Sequence, residues 1–163
     1  KMNVIEAIPG ELLTNWLQVL VEQEQEIKTN TSEDLLKIVL LDRYSDTAPV
    51  VAFIKGFGLQ NGAIAASIAH DSHHILAVGV DDLSIQKALQ WIVERKGGLC
   101  FANDAAVTGI KLPFFGLMTN KLNNLKRFTQ RIRKESAKYR KMLNCNNFCF
   151  ANLAKVSAIF GTP

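Results

Sequence analysis

The sequence predicts an α+β domain: a mixed β-sheet covered by at least two helices and preceded by a short β segment. Three observations lead there. Short apolar runs rich in β-branched residues recur between turn signals, as buried strands require. After Asp82 the period changes, and apolar residues fall three and four apart. The chain has 163 residues, 48% hydrophobic and 21% charged, which suits one cored domain and excludes a disordered chain.

Residues 1–21 read as extended, with Val4-Ile5, a turn at Pro9-Gly10, and a second stretch from Leu12 to Val21. Glu22 to Asp34 is polar and reads as a boundary or exposed loop. Leu35 to Leu41 is short and apolar enough for a buried strand, and a polar connection follows from Asp42 to Pro49. Val50 to Ile54, Ile64 to Ile68 and Ile75 to Val80 read as further strands. Leu83, Ile85, Ala88, Leu89, Ile92 and Val93 mark one face of a helix. That helix is expected to stop at Gly97-Gly98, with Arg95-Lys96 in its last turn. Leu99–Ala102 and Ala105–Leu112 are expected to pair as a hairpin across Asn103-Asp104.

Charge is uneven. Thr119 to Leu143 holds nine lysines and arginines against Glu135 alone, so the remainder of the chain is net negative. Leu122, Leu125, Phe128, Ile132, Tyr139 and Met142 recur there near helical spacing, which predicts a second, amphipathic helix with a solvated basic face. A nucleic-acid interface is the weaker reading, because no aromatic residues interleave with the cations on their own face. The tail from Asn146 to Pro163 is apolar without a pattern. No run approaches the ~18 apolar residues of a membrane span, so no membrane partner is expected. The cysteines Cys100, Cys145 and Cys149 are few and odd in number, which fits a reduced, cytoplasmic setting. No signal peptide is visible, and with Lys as first residue the chain is expected to be a fragment or a processed one.

All three histidines lie in His70-Asp71-Ser72-His73-His74, the one concentration of acid–base groups. It follows Lys55-Gly56-Phe57-Gly58-Leu59 and Asn61-Gly62, where glycines allow tight turns. Three readings compete. Histidine exchanges protons near neutral pH and Asp71 can orient it, which makes a catalytic cluster. The ligand types also suit a metal, although adjacent residues seldom converge on one ion. The third is a turn in which Asp71 and Ser72 bond backbone amides, and local chemistry alone favours it. Lys55 offers weak evidence of an anion site. Other chemistries lack their motifs: no Gly-x-Ser-x-Gly elbow occurs, Gly56-Phe57-Gly58 lacks a dinucleotide-binding third glycine, and Cys145 and Cys149 have no histidine partners for zinc.

Phe53-Ile54-Lys55-Gly56-Phe57-Gly58-Leu59, Gly62-Ala63-Ile64-Ala65, Ser67 and Ala69-His70-Asp71-Ser72-His73 resemble the C-terminal domain of bacterial adenine deaminases. Asn3-Val4-Ile5, Pro9-Gly10, Gly79, Gly97-Gly98, Leu112-Pro113 and Gly116-Leu117-Met118 extend the resemblance over about residues 1–120. His74 departs from it, standing where the family usually has Asn, and Lys96-Gly97-Gly98 replaces a triple glycine. The resemblance implies that residues 1–30 end a small β domain and its linker, and that 31–163 form the C-terminal domain. It implies a hydrolase of the metal-dependent amidohydrolase superfamily, taking adenine and water to hypoxanthine and ammonia in purine salvage and adenine catabolism. The bond cleaved is the C–N bond of a cyclic amidine. That chemistry needs a divalent metal, iron or manganese, in a (β/α)₈ barrel of ~250 residues. This chain has no such alternation, so the barrel and its metal are expected to lie elsewhere, none being bound here. The domain is then expected to pack on that barrel, inactive alone and in a homo-oligomer. His70, Asp71 and His73 would support catalysis at the barrel interface, with Ser72 and Lys55 binding substrate. The alternative is a stand-alone, non-catalytic ligand-binding or assembly module.

Overall fold

The structure, a computed structural model, describes residues 1–8, 14–20, 27–69 and 72–120. Eight strands form one sheet: β1 (Met2–Ala7), β2 (Thr14–Val19), β3 (Leu36–Leu41), β4 (Val50–Lys55), β5 (Ala63–Ala66), β6 (Ile75–Gly79), β7 (Gly98–Ala102) and β8 (Val107–Lys111). Their spatial order is β2-β1-β4-β3-β6-β5-β7-β8. Every pairing is antiparallel except β1 with β4, where Val4 lies opposite Phe53 and Glu6 opposite Lys55. The β1–β2 hairpin therefore belongs to the same sheet as residues 36–111, and Ile5 and Ala7 sit in its main core.

One helix, α1 (Asp82–Glu94), links β6 to β7, with β5 lying between those two strands. Its Ile85, Ala88 and Ile92 pack on Ala63, Ala65, Ala77 and Cys100. Small residues on the strands let the helix axis approach closely, and each buried isoleucine contributes roughly 1.5–3 kcal/mol of burial. The opposite face buries Ile5, Leu36, Ile38, Ile54, Ile64, Leu76 and Val78. Phe57, Leu59, Ala69 and Leu112, all from segments beyond strand ends, join that core.

The expectation of at least two helices is corrected here: the described residues hold α1 alone. On the face opposite α1, the described loop residues Phe57, Leu59 and Ala69 contribute to the core. The expected basic helix lies outside the described residues, apart from Thr119 and Asn120. So do the Pro9-Gly10 turn and the tail. The expected strand at Ile64–Ile68 is instead Ala63–Ala66, because Ser67 turns its amide to the carbonyl of Gly98 at 3.1 Å.

The ends of α1 follow from local chemistry. Asp81 caps its start, accepting a hydrogen bond from the Ser84 amide at 2.7 Å. At the other end the Lys96 amide donates to Val93 O at 3.0 Å and the Gly97 amide to Ile92 O at 2.9 Å. This is a Schellman closure. The helix stops one residue before Arg95, so Arg95 and Lys96 are not in its last turn as expected. Arg95 instead lies over the Trp91 ring, 4.5 Å from its centroid. The closure requires a left-handed residue, and Lys96 takes it with φ 57°. This is the position where the resembled family carries the first of its three glycines.

A side chain at left-handed φ costs roughly 1–2 kcal/mol, partly offset in a glycine variant by greater unfolded-chain entropy. Lys96→Gly should therefore raise stability by about 0.5–1 kcal/mol in urea unfolding.

Candidate functional site

The topology sorts the loops onto two ends of the sheet. The upper end, where β3 finishes and β6 begins, carries residues 42–49, the connection from Ser67 to His74, the α1–β7 turn and residues 112–120. The lower end carries the Gly56–Gly62 loop. A strand's length separates the ends, about 17 Å at ~3.4 Å per residue.

Ser67 holds the upper end together. It is completely buried, and its Oγ accepts from the Gly98 amide at 2.9 Å while donating to Gly116 O at 2.5 Å. The backbone at Gly97 lies so close to Gly116 that a Cβ there would collide with the Gly116 Cα, and its φ of 120° independently demands glycine. Three segments distant in sequence thus converge on one hydroxyl. Arg43 adds a fourth, its Nη2 donating to Phe115 O at 2.6 Å.

Beside this clamp lies a histidine–carboxylate pair. His74 Nδ1 is 3.3 Å from Asp42 Oδ1 and also 3.3 Å from the Arg43 amide nitrogen. The amide can donate to it only when the nitrogen is bare, and the nitrogen can donate to Asp42 only when it carries a proton. Tyr44 packs edge-on against the His74 ring at 5.8 Å. The Asp42 carboxyl is held below its ordinary 3.8, first by the Ser45 hydroxyl and then by the Tyr44 amide. Slight burial opposes these, and the charge of His74 reinforces them.

Ser72 and His73 sit at the same end. Ser72 Oγ and His73 Nδ1 are buried, and neither has a hydrogen-bond partner among the described residues. His73 has φ 54° and is fastened by its amide to Ala69 O at 2.7 Å. Buried polar atoms without partners are uncommon in folded proteins and mark places where a further group belongs. His70 and Asp71 lie outside the described residues. Lys55 stands at the lower end, level with Glu6 across the β1–β4 ladder, so the structure does not bring it together with Ser72 and His73.

Among the described residues, no group of three or more His, Cys, Asp or Glu is placed to hold a metal ion. Burial pushes the Cys100 thiol up to about 12, which leaves it an inert core group. A groove of about 690 Å³ opens between α1 and β3–β4, walled by Val39, Leu41, Val51, Leu89 and Val93. No helix among the described residues is long and apolar enough to cross a membrane. Sequence reasoning missed Asp42, Arg43 and Tyr44, which it took for a polar connection. The local sign was Asp42-x-x-Ser45, a turn in which a carboxylate binds the hydroxyl and amide that follow it.

The model of the family described as adenine deaminase C-terminal domain matches residues 11–159. An adenine deaminase of Sulfurovum sp. is 40% identical over 118 residues, covering 72% of this chain and 21% of that protein. One from Dehalococcoides mccartyi is 43% identical over 121 residues, 72% of this chain and 21% of its own length. One from Borreliella afzelii is 45% identical over 95 residues, 58% and 17%. The chain spans about a fifth of the length of these relatives.

Two outcomes are expected. Ser67→Ala leaves the buried Gly98 amide without its acceptor and should cost about 1–3 kcal/mol in denaturant unfolding. Asp42 has a depressed folded pKa, so its contribution is complete above the ordinary value and disappears as pH falls through the folded one. The stability gap between the native chain and Asp42→Asn should therefore be open at neutral pH and close below pH 3.8, as followed by thermal melts across pH.

Proposed function

Because this chain belongs to the adenine deaminase C-terminal domain family, we propose that it is the C-terminal domain of an adenine deaminase. On this reading it packs on, and completes, a catalytic barrel outside this sequence, in an enzyme converting adenine and water to hypoxanthine and ammonia. The observation that carries the reading is the family match from residue 11 to residue 159. Relatives of which it spans about a fifth support a domain role over an independent enzyme. The same reading carries with it cytoplasmic purine salvage and a homo-oligomeric enzyme.

Iron or manganese in the barrel would supply the activated water. The described residues offer no cluster fit to hold such an ion, so no step through a metal is assigned to them. Their share is hydrogen bonding and proton positioning. Adenine is neutral and must gain and lose protons at its ring nitrogens and its departing amine. His70, Asp71 and His73 act at the barrel interface, and Ser72 binds substrate there. The support is the pair of buried, unpartnered atoms, Ser72 Oγ and His73 Nδ1, which need partners that the described residues do not supply. Lys55 stands at the far end of the sheet from Ser72 and His73.

The test uses the isolated chain and a hybrid. In the hybrid, the chain replaces the matching fifth of the Dehalococcoides mccartyi enzyme. With iron or manganese supplied, the isolated chain should release no ammonia from adenine above a metal-only control, and the hybrid should release it. His73→Ala and Asp71→Asn in the hybrid should each reduce turnover at least tenfold, with metal content and melting temperature retained. Turnover by the isolated chain sinks the proposal. A folded, metal-loaded but inactive hybrid favours the non-catalytic module.

A further inference from the structure

The turn after β8 shows its aromatic residues to solvent in an unusual way. Phe114 and Met118 pair as a tight bridge, with amide-to-carbonyl distances of 3.3 and 3.2 Å, and the Leu117 amide donates to Phe114 O at 2.9 Å. Within it Phe115 adopts φ 55°, and its side chain is 82% exposed. A bulky residue at positive φ is a genuine outlier, persisting only where its surroundings enforce it. Here the enforcement is visible. Arg43 binds the Phe115 carbonyl, and the buried Ser67 hydroxyl binds the next carbonyl along. Phe114 is 50% exposed, Met118 61%, and Tyr44, next to Arg43, 71%. Aromatic, methionine and arginine side chains together match the composition of interface anchors.

We propose that this surface, with Phe115 as its central anchor, docks into an apolar recess on the catalytic part of the deaminase chain. This rests on the proposed function. The occupant follows from two facts. About four-fifths of each relative's length lies outside the match. The turn also stands at the same end of the sheet as Ser72 and His73, tied through Ser67 and Arg43 to the segments beside them. Docking there desolvates the aromatic turn and covers the mouth of the histidine loop in one contact. The clamp holds Phe115 outward in advance, so little ordering is left to be done on docking.

Amide hydrogen exchange in residues 42–47 and 113–118 is compared between the isolated 163-residue chain and the hybrid described above. Exchange should be at least tenfold slower in the hybrid. Phe115→Asp should restore fast exchange in the hybrid and leave the melting temperature of the isolated chain unchanged. Phe115→Gly provides a second, folded variant. It relieves the left-handed strain and should raise the isolated chain's melting temperature, yet still speed exchange in the hybrid. Equal exchange in both proteins, in a hybrid that turns over adenine, overturns the docking surface while leaving the proposed function intact. Slow exchange in an inactive hybrid, reversed by Phe115→Asp, supports docking and counts against the catalytic reading. Slow exchange already present in the isolated chain, whether as a monomer or as a dimer by sedimentation, overturns the assignment to the catalytic part.

Discussion

A single buried hydroxyl sets the arrangement of the upper end. Ser67 leaves β5 and at once satisfies the amide that opens β7 and the carbonyl that closes the turn after β8. The hydroxyl is fully buried, and the Gly97 and Gly116 backbones lie close together beside it. A buried amide or carbonyl left unmatched costs about 1–3 kcal/mol, so the three segments are held to one geometry. Arg43 then binds the Phe115 carbonyl, one residue before the carbonyl that Ser67 holds.

The two ends of the sheet handle turn geometry differently. At the lower end, positive φ falls mostly on glycines, Gly56, Gly58 and Gly62, and the Asp34 carboxylate binds the amides of the first two. At the upper end, Lys96, Phe115 and His73 also take left-handed conformations that their side chains disfavour. Strain of this kind collects where structure is organised for contact with something else. Unpartnered polar atoms in Ser72 and His73, and exposed aromatics at Phe115 and Tyr44, lie at that same end. The lower end has one left-handed side chain, Asp34 at φ 56°, and its charged groups include the Lys37–Asp82 ion pair, while the histidines among the described residues lie at the upper end.

Much of the element list was legible from local pattern. β3, β4, β6, α1 and the β7–β8 hairpin were readable because apolar period, an Asp N-cap and turn residues act over a few positions. Among the described residues α1 is the one helix, and the expected basic helix lies outside them. The described loop residues Phe57 and Leu59 contribute to the core opposite α1, and an isolated Phe-Gly-Leu carries no period by which to announce such packing. Within the site, the histidine segment was conspicuous by composition. Its neighbour Asp42 was not, since 32 residues separate it from His74 and nothing in either segment points to the other.

By itself the sequence determined where the chain must be extended, where it must coil and which family it resembles, because periodicity, capping and turn chemistry are local properties. Tertiary structure alone decided strand order. β1 joins β4 in parallel, and β5 slips between β6 and β7. Such choices rest on burying both faces of one sheet together, a condition that no short window of residues contains. They bring Asp42 to His74 and Ser67 to Gly116 and hold Lys55 a strand's length away.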